Sequence, residues 1–169
     1  CYPLSTDDKK LLNIAMQEDM SVKKSDYSAA TGFLKQKVEI LEKSKTSLAF
    51  ETRIRSLNNL GYYSFKSGNI PDAEKYFNEA GELATEKNNL TGIFSSLMNL
   101  TNLYAMMIEE GKNDRDWLKL TSEIITKISS YRNSYYDAKF AQEKEALEAK
   151  AEAKKIEVKP EDIETIRES

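Results

Sequence analysis

Residues 57–80 contain Leu57-Asn58-Asn59-Leu60-Gly61, then Ser67-Gly68-Asn69-Ile70-Pro71-Asp72-Ala73, then Phe77 and Ala80. This stretch reads as a helix, a sharp turn and a second helix. Gly68 suits a helix C-terminal stop, where the chain needs a left-handed residue. Asn69 is a good N-cap, and Pro71 falls in the next first turn, where its missing N–H costs little. Asp72 adds a negative charge near the positive end of that helix. Gly61, Ala73 and Ala80 are small residues of this stretch, and Phe77 lies among them.

Working outward, the same signals recur. Ser5 or Thr6 can cap a first helix with Asp7 and Asp8 in its opening turn and an apolar face of Leu11, Leu12, Ala15 and Met16. Asp26 can cap a second helix, in which Ala30, Phe33, Leu34, Val38 and Leu41 recur at three- and four-residue steps. Residues 44–47 are polar and mark a connection. The third helix carries Phe50, Ile54, Leu57, Leu60, Gly61 and Ser64. The fourth buries Ala73, Tyr76, Phe77, Ala80, Leu83 and Ala84, and Asn88-Asn89 closes it. The fifth presents Ile93, Leu97, Leu100, Tyr104, Met107 and Ile108 and stops at Gly111. Asn113 is expected to cap a sixth helix with Trp117, Leu120, Ile124, Ile128 and Tyr131.

Leu57, Asn59 and Leu60 have identical partners forty residues on, at Leu97, Asn99 and Leu100. On that step Gly61 pairs with Thr101, and Ser64 with Tyr104. Together with the small residues and the Gly68-Asn69 turn, this spacing resembles the tetratricopeptide repeat, in its long form of about forty residues. The resemblance implies an all-α fold: a right-handed stack of about three antiparallel helix pairs, over 6–44, 48–88 and 91–131. Residues 1–5 form a tether before it, and 132–169 a C-terminal capping helix and charged tail after it. In such a stack each pair leaves an apolar face that its neighbour buries.

The resemblance also implies a concave groove lined by the first helix of each pair. From the third helix it would present Arg55, Asn58, Asn59, Tyr62, Phe65 and Lys66. The fifth would add Met98, Asn99, Asn102 and Met106. Asparagines there can bond an extended backbone, and the aromatic and methionine side chains can hold apolar groups. Asn59 and Asn99 could equally bond between adjacent helices, and Tyr62 and Phe65 could be half-buried packing residues. Met98 and Tyr62 stand where the family's carboxylate grip for chaperone tails needs polar or basic groups, so that ligand is not expected.

Composition bounds the function. The chain has 169 residues, 40% hydrophobic and 31% charged, which suits a folded domain rather than a disordered one. Three prolines and six glycines leave long uninterrupted segments, as helices require. The net charge is −3, with both signs interspersed, so nucleic acid is not an expected partner. There is no histidine and one cysteine. That removes the commonest general base and metal ligand, and any internal disulfide. No enzyme activity, cofactor or metal is expected. The expected partner is another protein or peptide segment.

Beyond Tyr131, Tyr135, Tyr136 and Phe140 lead into an Ala/Glu/Lys-rich stretch over 142–155, a strong helix former with few apolar positions. Pro160 breaks it.

The lone cysteine is Cys1. A leading cysteine resembles the start of a mature bacterial lipoprotein, whose sulfur carries diacylglycerol. That likeness implies a lipid-anchored adaptor on the periplasmic side of a bacterial membrane, acting in assembly of an envelope complex. Tyr2, where aspartate would retain such a protein at the inner membrane, favours the outer one. The alternatives are a soluble cytoplasmic scaffold, or a ligand-binding accessory subunit of a transporter, which would need an enclosed apolar pocket.

Overall fold

The structure, a computed structural model, describes residues 3–153 and residue 161. All regular structure among them is helical: α1 (Thr6–Lys23), α2 (Tyr27–Glu42), α3 (Ser47–Lys66), α4 (Ile70–Glu86), α5 (Leu90–Glu109) and α6 (Trp117–Ala153). The expected all-α class is what is found. Connections of three or four residues between α1 and α5 turn each helix back along its predecessor.

Local chemistry sets the helix ends. Ser5 and Asp8 form a reciprocal capping box. Asp26, Thr46, Asn69 and Asn89 each accept an N–H three residues on. At the other ends, Ser25, Gly68 and Gly111 take positive φ values of 57°, 80° and 69°. The following residue then donates back to Ser21 O, Ser64 O and Met107 O, at 2.8, 2.8 and 3.0 Å. This is the Schellman closure of a helix, and glycine is favoured at the left-handed position because it has no Cβ to clash.

Positions 25, 68 and 111 each lie 43 residues beyond the last, and the N-caps at 26 and 69, and at 46 and 89, keep that step. Leu57-Asn58-Asn59-Leu60 and Leu97-Met98-Asn99-Leu100 stand forty residues apart, three short of it. On a step of 43, Leu57 pairs with Leu100, and Gly61 with Tyr104. Ile14, Leu57 and Leu100, one per first helix, are all buried.

By compactness the chain divides into Cys1–Ile125 and Thr126–Ser169. In the first unit consecutive helices from α1 to α5 pack on one another, and α3 also meets α5 directly. One core cluster joins Ala30, Leu34 and Val38 of α2 to Leu57, Leu60 and Tyr63 of α3 and Tyr76 and Ala80 of α4. A second joins Ala73 and Phe77 of α4 to Leu100, Leu103, Tyr104 and Met107 of α5 and to Trp117. Thus α4 divides its apolar surface between two cores. Gly61 sits beneath the Phe77 ring, and a Cβ there would come within 3.0 Å of three ring carbons. At Gly92 a Cβ would lie 2.7 Å from Ile54 Cγ2 and 2.9 Å from Ala84 Cβ. These two glycines set how closely α3, α4 and α5 meet.

Three details differ from expectation. In α1 the buried apolar residue is Ile14, while Leu12 and Met16 are exposed. Ile108 is exposed in α5. Asn113 does not cap α6; Asp116 does, accepting from Lys119 N at 3.1 Å. A carboxylate one residue before the first helical residue satisfies the free N–H groups, whereas Asn113 lies too far upstream to reach them. The helix then continues through 131 and 132 without a break.

The second unit, by itself, carries the rest of α6. There Tyr135 and Tyr136 meet edge to face, with Arg132 over the Tyr136 ring. Lys139–Glu143 and Lys144–Glu148 are paired one turn apart, at 3.8 and 3.9 Å. No helix among the described residues is long and apolar enough to cross a membrane.

Candidate interaction groove

The α3–α5 contact is built on a buried polar node. Asn58 is buried on α3, 9% exposed. Its Oδ1 accepts from Asn99 Nδ2 at 3.0 Å, and its Nδ2 donates to Ser96 Oγ at 3.4 Å. Ser96 in turn donates to Gly92 O at 2.8 Å. A buried amide costs free energy unless it is bonded, and here the bonds tie the two helices together.

Above this node lies an open cavity of about 950 Å³. From α3 it is lined by Glu51, Arg55, Asn58 and Asn59, and from α5 by Phe94, Ser95, Met98 and Asn99. Of the residues expected in the groove, Arg55, Asn58, Asn59, Met98 and Asn99 thus share one cavity. Asn58 and Asn99 spend bonds on each other. Bonding between adjacent helices, expected for Asn59 and Asn99, falls to the Asn58–Asn99 pair instead. Arg55 and Met98 are exposed, and Asn59 is half-buried. Among the described residues none of these three makes a side-chain hydrogen bond or ion pair.

The remaining expected residues do not line this cavity. Tyr62 is 45% exposed but its ring meets those of Tyr27 and Tyr63, with Lys66 Nζ over its face at 5.6 Å. Phe65 is half-buried against the second core cluster. Asn102 and Met106 are exposed on α5. Of the expected repeat positions, Leu57, Leu60, Gly61, Ala73, Phe77, Ala80, Leu97, Leu100 and Tyr104 are buried, and Gly68 is the left-handed turn residue. Cys1 lies outside the described residues.

Sequence reasoning missed Ser96, 1% exposed. The available signal was a serine on the same helical face as Ile93, Leu97 and Leu100. It also missed a cleft of about 530 Å³ where the α5–α6 connection meets α4. There Arg115 forms a two-pronged pair with Glu74 and lies over the Trp117 ring, 4.7 Å from its centre. Beside it, burial and then the Glu74 carboxylate push the Tyr104 phenol up to about 12. On the other side of the fold, Tyr63 donates to Glu18 Oε1 at 2.9 Å, linking α3 to α1. Burial and that carboxylate raise its pKa as well.

No group of three or more metal-ligating side chains gathers among the described residues. No protein-family model, curated protein or solved structure matches the chain.

Proposed function

We propose that this chain is a protein-interaction module, a tetratricopeptide-like stack whose α3–α5 groove holds a segment of a partner protein. The observation that carries the reading is how the polar groups of that face are divided. Asn58, Ser96 and Asn99 satisfy one another beneath the surface. Arg55, Asn59 and Met98 face an open cavity with no hydrogen bond or ion pair to the rest of the described chain. Such a surface offers one cation, one amide and one adaptable apolar side chain to an outside ligand. The stack itself is supported by the 43-residue recurrence of caps and closures and by the direct packing of α3 on α5.

Photo-crosslinking in the producing cell tests this. A crosslinking residue at Met98 should give a discrete protein adduct, and one at Glu82 on α4 should not. Adducts of equal yield from both positions, or none from the groove, would sink the reading.

Lipid attachment at Cys1, and with it a place at a bacterial envelope, is a separate proposal with its own test.

A further inference from the structure

The amides expected to grip an extended chain are mostly committed within the fold. Asn58 and Asn99 bond each other, and Asn58 also reaches Ser96 Oγ. Asn89, on the same cavity, caps α5 by accepting from Gly92 N at 2.9 Å. Among the described residues, Asn59 is the amide of this cavity left without a side-chain hydrogen bond. An extended segment carries an N–H and a C=O on every residue, and each is costly to bury without a partner. One free amide cannot serve them. A helix satisfies its main chain within itself and asks a groove only for side-chain contacts.

The charges supply a pattern. Glu51 and Arg55 both line the cavity and are both exposed, four residues apart on α3. That is the spacing of a favourable helical ion pair, yet neither forms an ion pair among the described residues. Their charges cancel, so the cavity selects neither an acid nor a base alone. It presents a negative group and, one turn on, a positive one. The opposite wall, on α5, is apolar: Phe94 is half-buried and Met98 is 48% exposed.

We propose, resting on the interaction reading above, that the groove holds one amphipathic helix of the partner protein. Its apolar stripe packs on Phe94 and Met98. On its flank a base faces Glu51 and an acid, one turn away, faces Arg55. Residues four apart on any helix are separated by about 6 Å of rise, so one face of the incoming helix meets both groups at once. An acid four residues before a base fits a helix running against α3, and the reverse order fits one running along it. Exposed ion pairs add little affinity, so this pair sets register and direction while the apolar stripe supplies the hold. Methionine adapts to stripes of different shape.

The test is phage selection against the whole chain with two libraries, one a helical scaffold randomised on one face, the other linear random peptides. The helical library should yield binders with an apolar stripe and, beside it, an acid and a base one turn apart. Such a binder should lose about tenfold in affinity for the double variant Glu51→Arg with Arg55→Glu, and regain it when its own acid and base are exchanged. Both residues are exposed, so the urea midpoint of the double variant should match the wild type. Binders drawn only from the linear library, or helices indifferent to the exchange, would overturn this inference; if Met98→Glu releases them, the groove itself stands. Failure of both libraries to yield any binder that Met98→Glu releases would overturn the groove reading with it.

Discussion

Asn58 and Asn99 meet across α3 and α5, with Asn99 Nδ2 donating to Asn58 Oδ1 at 3.0 Å. The pair ties α3 to α5 at the floor of the open cavity between them. Replacing Asn58 by alanine takes the acceptor from Asn99 Nδ2, while Ser96 Oγ keeps its bond to Gly92 O. The expected cost is about 1–3 kcal/mol, read as a fall in the urea midpoint. Adding Asn99→Ala should cost less than the sum of the two single changes, since the bond is already gone. Simple additivity would mean that the bond is not formed in solution.

Gly61 lies under Phe77 with no room for a methyl group. Gly61→Ala should destabilise the fold by about 1–3 kcal/mol through overpacking, although alanine is the better helix former. Phe77→Leu on that background should recover part of the loss. A neutral or stabilising Gly61→Ala would show that α3 and α4 sit further apart than described.

What could be read from sequence divides along the same lines. The Gly68-Asn69-Pro71 turn was legible because caps act locally and only a few residue types serve. The 43-residue step of the helix ends was not. A helix turns once in 3.6 residues, so a slip of three leaves an apolar stripe facing nearly the same way. Leu57-Asn58-Asn59-Leu60 can thus resemble Leu97-Met98-Asn99-Leu100 at a step of forty. The aperiodic closures at Ser25, Gly68 and Gly111 and the N-caps mark the step of 43. The face read for α1, Leu11, Leu12, Ala15 and Met16, straddles its covered and exposed sides and passes over the buried Ile14. Likewise the burial of Asn58 depends on Ser96, a partner far along the chain.

Tyr104 is a hydrogen donor held in a low-dielectric site beside Glu74, and its pKa stands near 12 against an ordinary 10.0. The folded state then binds the phenolic proton more tightly than the unfolded state. Its contribution to stability is complete below pH 10 and is lost as the pH rises through 12. The tyrosinate absorbance of Tyr104 and of Tyr63 should therefore appear late in an alkaline titration. Tyr104→Phe should flatten the loss of stability over that range. Early ionisation of every tyrosine would contradict the burial of both.

Lipid attachment at Cys1 has a direct test in a bacterial host. Cys1→Ser in a precursor with a lipoprotein signal should abolish labelling by a fatty acid and shift the protein from the membrane to the soluble fraction. A variant that stays with membranes would remove the proposal and leave the groove unaffected.

The five methionines provide the most direct test of the groove. Met98 lines it, while Met107 is buried at 3% exposure in the second core cluster. With the methionine methyl groups labelled for NMR, the partner segment captured by crosslinking at Met98 is titrated in. The Met98 signal should move and saturate, while Met107 holds its place. Binding that leaves Met98 unmoved would contradict the groove.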